Sequence, residues 1–195
     1  MYARYMKRPL DFIMSLAGII VLSPVLLVII LCIKLSSPGP IFFKQKRVGI
    51  HKSHFNILKF RTMRIYTPKD VPTHLLENPE QYITGIGRFL RKTSLDELPQ
   101  LWNVLKGDMA FIGPRPERKF YIDQIIEHDS RYTYLYQIRP GVTSYATLYN
   151  GYTDTMEKML RRLELDLYYL EHRSWWFDTK ILVKTFINIV FGKKF

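Results

Sequence analysis

The chain has 195 residues, enough for one well-packed domain with an appended segment but too few for two domains of ordinary size. Its 29 Lys and Arg against 17 Asp and Glu give a net charge of +12, which predicts an anionic partner: nucleic acid, acidic lipid headgroups or a phosphorylated substrate. The single cysteine, Cys32, excludes an intrachain disulfide and a zinc site built on several cysteines, which fits a reducing cytoplasmic setting.

A membrane segment is predicted near the start of the chain. Residues 12–33 are 22 consecutive uncharged and mostly apolar positions, roughly 33 Å as a helix, which matches the hydrocarbon thickness of a bilayer. A cleaved signal peptide is disfavoured, because its apolar core has only about 7–15 residues and ends at a small-residue cleavage site.

Ser23-Pro24 lies in the middle of this segment, where proline removes a backbone hydrogen bond and predicts a kink or break. Each arm would cross about half a bilayer. Arg4, Lys7 and Arg8 precede the segment, and nine basic and no acidic residues occupy positions 34–69, so both flanks favour the cytoplasmic side. We therefore expect residues 1–35 to form a re-entrant helix broken at Ser23-Pro24; a kinked single span is the alternative.

Residues 36–195 are predicted to form one catalytic domain of α+β class, mainly helical. The stretches IFFKQKRVG and HFNILKFRTM predict a small β-hairpin, and the proline-rich stretch at 64–79 predicts a mobile surface loop able to cover a substrate. Apolar periodicity predicts helices on both sides of Thr93-Ser94 and through MEKMLRRLELDLYYLEH. A last helix after Trp175 has separate basic and apolar faces, as in an interfacial helix; a helix packed on the core is the alternative.

Asp96 and Glu97 are adjacent carboxylates at a predicted helix start, since Pro99 is tolerated only in a first turn. Ionised carboxylates can attack phosphorus or hold Mg²⁺ against a diphosphate. The alternative is a capping box, because Ser94 and Glu97 have the S-x-x-E spacing. Nearby basic residues favour a role of the pair in phosphate chemistry. Arg91 lies just before the pair, and Arg115 and Arg139 occupy proline-rich turns, where a guanidinium can bind phosphate with two hydrogen bonds.

The motif SLDELPQLWNVLKGDMAFIGPRP resembles the core motif of the bacterial sugar transferases, the monotopic polyprenyl-phosphate phosphoglycosyl transferases. The resemblance extends through KRPLDF, SPGPIFFKQKRVG, FNILKFRTM, RPGVT, LELDLYYL and DTKILVKT, and the chain looks like the small form of the family.

The resemblance implies that Asp96 attacks the β-phosphate of a UDP-sugar, releases UMP, and passes the phosphosugar to polyprenyl (undecaprenyl) phosphate, assisted by Glu97 and Mg²⁺ held by the two carboxylates. It implies a monotopic enzyme of the bacterial inner membrane, with the catalytic domain on the cytoplasmic face, membrane lipids as neighbours and a homodimer as one possible assembly. The candidate substrate-binding and supporting residues are Lys59, Arg61, Arg91, Arg115, Arg139 and Asp166.

One region departs from the family, where GxTGWAQVNGR is usual and this chain has GVTSYATLYNGYTD, with Ser144, Tyr145, Thr147 and Tyr152 in place of common residues. The identity of the sugar is therefore left open. Two other classes of function are weighed: a membrane-tethered nucleic-acid binder, which no recognisable nucleic-acid module supports, and a non-catalytic membrane scaffold in which Asp96-Glu97 is only a helix cap. The motif favours the enzyme, with no nucleic-acid partner.

Overall fold

The computed structural model describes residues 2–68, 78–151, 153 and 155–191. The described chain is mostly helical with two small sheets, which confirms the predicted composition of elements. The α-helices are α1 (Lys7–Ser36), α2 (Gly85–Thr93), α3 (Gln100–Lys106), α4 (Lys119–His128), α5 (Tyr145–Asn150), α6 (Met156–His172) and α7 (Trp175–Val190). The strands are β1 (Phe42–Val48), β2 (His54–Phe60), β3 (Ala110–Ile112) and β4 (Gly141–Thr143).

The predicted hairpin is present: β1 and β2 pair antiparallel, with Phe42 opposite Phe60 and Phe43 opposite Lys59. A short parallel pair, β3 with β4, was not predicted, because three-residue strands carry too little alternation to detect. The predicted surface loop falls largely on residues 69–77, which lie outside the described residues.

The helical pattern of α1 continues through Ser23 and Pro24, so the predicted break does not divide the helix, and re-entry stays a prediction. A proline costs a helix one backbone hydrogen bond, and the flanking apolar turns remain helical around it. The Ser23 hydroxyl donates to the Ile20 carbonyl at 2.7 Å and so occupies one main-chain acceptor in the preceding turn. Within the described residues, α1 is the one helix long and apolar enough to cross a membrane by length and composition.

Both ends of α1 contact the same folded domain. Near its start, Arg8 donates to the carbonyls of Val104 and Leu105 at 2.6 and 2.8 Å, at the end of α3. Near its end, Ile29 and Ile33 are buried in a cluster with Phe60 of β2 and Leu90 of α2. The middle of the helix is different, with large apolar side chains exposed at positions 20, 21, 27 and 28. The domain therefore holds α1 at its two ends and leaves its centre uncovered.

The C-terminal helices complete the core. On α6, buried Leu163 packs with Ile122, Ile125 and Leu135, which confirms the apolar face predicted for this helix. On α7, Ile181 is buried while Trp176, Val183 and Phe186 are 68%, 52% and 68% exposed. Helix α7 thus has one face in the core and another that is apolar and uncovered.

Candidate active site

The two adjacent carboxylates lie in a tight connection between α2 and α3. Ser94 ends α2 with a positive φ of 58°, and residues 95–97 form a single 3₁₀ turn before Pro99 begins the turn into α3. The sequence predicted that Asp96 and Glu97 start the helix itself, whereas the structure places them in the 3₁₀ turn just before it. Strand β2 packs directly against this turn, so the two carboxylates lie beside that strand.

Glu97 is held by two basic side chains. The Lys59 ammonium, from β2, lies 2.5 Å from Glu97 Oε1, and Nη2 of Arg115 lies 3.8 Å from the same oxygen. Burial raises the pKa of the Glu97 carboxyl, but Lys59 and Arg115 outweigh burial and hold the pKa below its ordinary value. The capping-box alternative is not observed, because the described structure has no capping bond from the Ser94 side chain to this turn. Glu97 is thus an ionised carboxylate bound to cations.

Asp96 has the opposite shift. Burial raises the pKa of its carboxyl, the positive charge of Lys59 opposes the rise, the negative charge of Glu97 adds to it, and Arg91 opposes it. Two neighbouring carboxylates whose pKa values are pushed apart by their surroundings are a common arrangement for dividing chemical roles. Asp96 is therefore the more basic of the two, and a more basic carboxylate is the better nucleophile once it is ionised.

The structure gathers most of the predicted basic residues around this pair. Lys59 and Arg115 contact Glu97 directly, and the Arg91 side chain is oriented by a hydrogen bond from its Nε to Thr62 Oγ1 at 2.9 Å. The result is a cationic surround for two carboxylates, of the kind that binds phosphate groups.

Two predicted arginines have contacts elsewhere. Arg61 is buried and donates to the Ser37 and Pro38 carbonyls, each at 2.8 Å, at the exit of α1. Arg139 donates from its Nε to the Gly107 carbonyl at 2.9 Å, beyond the far end of α3. Arg61 also donates to the Ser37 hydroxyl at 2.9 Å. These described contacts are structural, so the substrate-binding role of Arg61 and Arg139 stays a prediction.

Asp166 lies on α6 in a second polar cluster that sequence reasoning did not detect. Arg162 Nη1 lies 2.8 Å from Glu117 Oε1, and Arg47 Nη1 lies 3.6 Å from the other oxygen of Glu117. Burial raises the pKa of Asp166 to about 8, with Arg162 opposing and Glu117 adding to the rise. A signal was available, since Arg162 and Asp166 have the i, i+4 spacing that places side chains together on a helix.

The candidate active site offers few side chains that could bind a magnesium ion. Within the parts of the chain that the structure describes, no group of three or more His, Cys, Asp or Glu side chains could hold a metal ion. Mg²⁺ usually takes one or two carboxylates and completes its shell with water and substrate phosphates. The Asp96 and Glu97 carboxylates match that donor set, so the residues present fit a magnesium ion brought to the site with a diphosphate.

Comparison with known proteins identifies the family. The sequence model described as bacterial sugar transferase matches residues 2–192, nearly the whole chain. The chain belongs to the bacterial sugar transferase family. The match includes the Asp96-Glu97 turn and its basic neighbours, which stay the candidate active site.

Several curated relatives share this region. The chain is 41% identical over 184 residues to the UDP-glucose:undecaprenyl-phosphate glucose-1-phosphate transferase of Escherichia coli (strain K12), covering 93% of this chain and 39% of the relative. It is 37% identical over 188 residues to the UDP-N-acetylgalactosamine-undecaprenyl-phosphate N-acetylgalactosaminephosphotransferase of Aeromonas hydrophila, covering 96% and 44%. A UDP-glucose:undecaprenyl-phosphate glucose-1-phosphate transferase of Caulobacter vibrioides (strain ATCC 19089 / CIP 103742 / CB 15) is 40% identical, covering 92% and 67%. The chain thus spans about two fifths of the length of the first two relatives.

The region that departs from the family motif has local structural roles. The Ser144 hydroxyl accepts a hydrogen bond from the Thr147 backbone at 2.9 Å and so caps the start of α5. Tyr145 stacks on Tyr168 of α6, with ring centroids 5.6 Å apart. Tyr152 lies outside the described residues. The departures at Ser144, Tyr145 and Thr147 are therefore compatible with an intact fold around α5.

Proposed function

We propose that this protein transfers a phosphosugar from a UDP-sugar to polyprenyl (undecaprenyl) phosphate, producing polyprenyl-diphosphate-sugar and UMP, in the first membrane step of surface glycan assembly. Family membership and the activities for which the relatives are named support the reaction class. The observation that carries the proposal is the Asp96-Glu97 pair beside Lys59 and Arg115, because it combines a nucleophile with charges that bind a diphosphate.

In the proposed reaction, an ionised Asp96 oxygen forms a bond to the β-phosphorus of the donor, and the bond from that phosphorus to the oxygen of the α-phosphate breaks. UMP leaves with the electron pair of the broken bond. A phosphate oxygen of the polyprenyl carrier then attacks the same phosphorus and releases the Asp96 carboxylate. Lys59, Arg91 and Arg115 stabilise negative charge on the phosphate oxygens during both steps.

Mg²⁺ is the proposed cofactor, with Asp96 and Glu97 as its protein ligands beside the diphosphate. When bound, the ion supplies neutralisation of phosphate charge. The ionised state of Glu97, which Lys59 and Arg115 maintain by holding its pKa low, keeps an oxygen ligand available at neutral pH.

The proposed location is the inner membrane of a bacterium, with the catalytic domain on the cytoplasmic face and α1 re-entrant. Support comes from the contacts of α1, because both of its ends bind one folded domain while its centre is exposed and apolar. A straight span would carry one end to the far side of the bilayer, away from that domain.

Impermeant maleimide labelling tests this topology. Single cysteines replace Met6 and Leu35, which are exposed near the two ends of α1, in a Cys32→Ser background. We expect both sites to be protected in intact spheroplasts and labelled after lysis. Labelling of one site alone in intact spheroplasts would contradict re-entry and favour a single span.

UMP release tests the reaction itself. Purified protein in nanodiscs is given Mg²⁺, polyprenyl phosphate and a panel that includes UDP-glucose and UDP-N-acetylgalactosamine. We expect wild type to release UMP from at least one donor and Asp96→Asn to release none. Asp123→Asn is the matched control, because Asp123 is an exposed aspartate on α4 paired only with Lys119 among its described contacts. Equal UMP release by wild type and Asp96→Asn would remove Asp96 as nucleophile, and no release from any donor would favour the scaffold hypothesis.

A further inference from the structure

A small cavity adjoins the candidate active site on the side of α6. Its volume is about 20 Å³, enough for one water-sized group. Its polar wall is made by Arg115, Glu117, Arg162 and Asp166, and its apolar wall includes Ile125 and Leu163. A cavity of this size with one polar wall suits a single small polar group.

Two residues that line the cavity each have a buried atom with unused hydrogen-bonding capacity. Among the described residues, neither Asp166 Oδ1 nor Arg162 Nε has a hydrogen-bond partner, although both atoms are inaccessible to solvent. Asp166 is 3% exposed, and a buried polar group without a partner costs about 1–3 kcal/mol. The two side chains line the same cavity and offer one acceptor and one donor. A hydroxyl group, which donates and accepts at once, satisfies both.

The charges around the cavity argue for a neutral ligand. Because burial raises the pKa of Asp166 to about 8, this carboxyl is largely protonated at neutral pH. A cation would be repelled by Arg115, Arg162 and Arg47, which outnumber the one negative charge of Glu117. A phosphate-sized anion is too large for a cavity of about 20 Å³. A hydroxyl carries no net charge and avoids both penalties.

The cavity is also close to the proposed chemistry. Arg115 lines it, and the same guanidinium lies 3.8 Å from Glu97 Oε1, so one arginine side chain separates the cavity from the carboxylate pair. In a UDP-sugar the sugar is bonded directly to the β-phosphate that Asp96 is proposed to attack. In the proposed reaction, the hydroxyl groups that come close to the cavity are therefore those of the donor sugar.

We propose that the cavity between Arg115, Arg162 and Asp166 receives one hydroxyl of the donor sugar, which donates to Asp166 Oδ1 and accepts from Arg162 Nε. This inference rests on the proposed transfer of a phosphosugar and adds a specificity-determining contact to it. The subsite selects a donor by the position of that hydroxyl, because a donor without it leaves two buried polar atoms unpaired.

The test compares kcat/KM for UMP release from the accepted UDP-sugar and from its four monodeoxy analogues, lacking the hydroxyl at C2, C3, C4 or C6 (or the group that replaces it). With wild type, one analogue should lose about tenfold to a hundredfold. In Asp166→Leu, which keeps the branched side-chain shape but removes the acceptor, that discrimination should fall to within about threefold. Because each ratio is taken within one protein preparation, a smaller folded fraction does not alter it.

Met159→Phe provides a second variant, since Met159 lines the cavity from α6 and a larger side chain there would fill it while leaving the polar residues intact. In this variant, we expect the kcat/KM of the same analogue to approach that of the accepted UDP-sugar. Discrimination that is unchanged in both variants, with only a shift in thermal stability, would overturn the inference and leave the cavity as a structural water site. Active wild type with this result would leave the proposed reaction standing, whereas a wild type that releases no UMP from any donor would overturn both.

Discussion

The Lys59 ammonium lies 2.5 Å from Glu97 Oε1. This ion pair connects strand β2, which carries Lys59, to the turn that carries Asp96 and Glu97. Its charge also lowers the pKa of Asp96 against the effect of burial. One lysine thus favours the ionised form of both carboxylates.

Replacing this lysine should change the pH dependence of the reaction. Asp96 acts as an ionised nucleophile, and its ionised form is lost as pH falls through its pKa. Without the positive charge the pKa of Asp96 rises further, so in Lys59→Met the acidic limb of kcat/KM should move to higher pH. At neutral pH we expect a loss on the order of a hundredfold. UMP release measured from about pH 5 to about pH 9 gives the profile.

Lys44→Met is the control for this profile, because Lys44 is an exposed lysine of the neighbouring strand β1. Its acidic limb should coincide with that of wild type. An acidic limb that stays in place in Lys59→Met would show that Lys59 does not set the ionisation of Asp96.

Arg61 should stabilise the folded protein by holding the segment that follows α1. Its guanidinium donates to the carbonyls of buried Ser37 and exposed Pro38, and Arg61→Met would leave the Ser37 carbonyl unpaired at a cost of about 1–3 kcal/mol. The measurement is the thermal midpoint in detergent. Arg88→Met is the control, since the exposed Arg88–Glu80 pair is worth under about 1 kcal/mol.

Activity of the same variant separates two roles of Arg61. An unchanged KM for the donor in folded Arg61→Met would indicate a purely structural residue. A KM raised well above that of Arg88→Met would instead support the substrate contact predicted from the FNILKFRTM motif.

Asp166 should make the protein less stable as the solution becomes more alkaline. Its pKa rises from an ordinary 3.8 to about 8 on folding, so the folded state retains a proton that the unfolded chain releases. This contribution to stability is complete below about pH 4 and is lost progressively up to about pH 8. Asp166→Asn cannot ionise, so its thermal midpoint should fall less over that range than that of wild type. Parallel pH profiles for the two proteins would show that Asp166 is ionised in the folded state.

The uncovered apolar face of α7 should lie against lipid. A bimane label attached to the thiol of the Phe186→Cys variant, made in the Cys32→Ser background, should be quenched by brominated lipids in nanodiscs. The same label introduced through Asp123→Cys on α4, an exposed polar site, should show little quenching. Equal and weak quenching at both positions would contradict an interfacial α7.

The elements that the sequence predicted well are those with long or strongly patterned signals. The apolar run of α1, the alternating strands of the hairpin and the periodic face of α6 each repeat one local rule over many residues, so local physics is enough to detect them. The parallel β3–β4 pair was missed because it depends on a contact between distant segments. The predicted break at Pro24 does not interrupt the helical pattern of α1, since proline removes only one backbone hydrogen bond, and the re-entrant path of α1 stays a prediction.

By itself, the sequence determined the chemical types at the candidate site: adjacent carboxylates, a surplus of arginine and lysine, and a motif that resembles one family. Tertiary structure decided which charges meet. It placed Lys59 and Arg115 on Glu97, turned Arg61 and Arg139 toward main-chain carbonyls, and buried Asp166 beside a cavity. The physical reason is that ion pairing and desolvation depend on distance and burial between segments far apart in the chain, which local patterns do not encode.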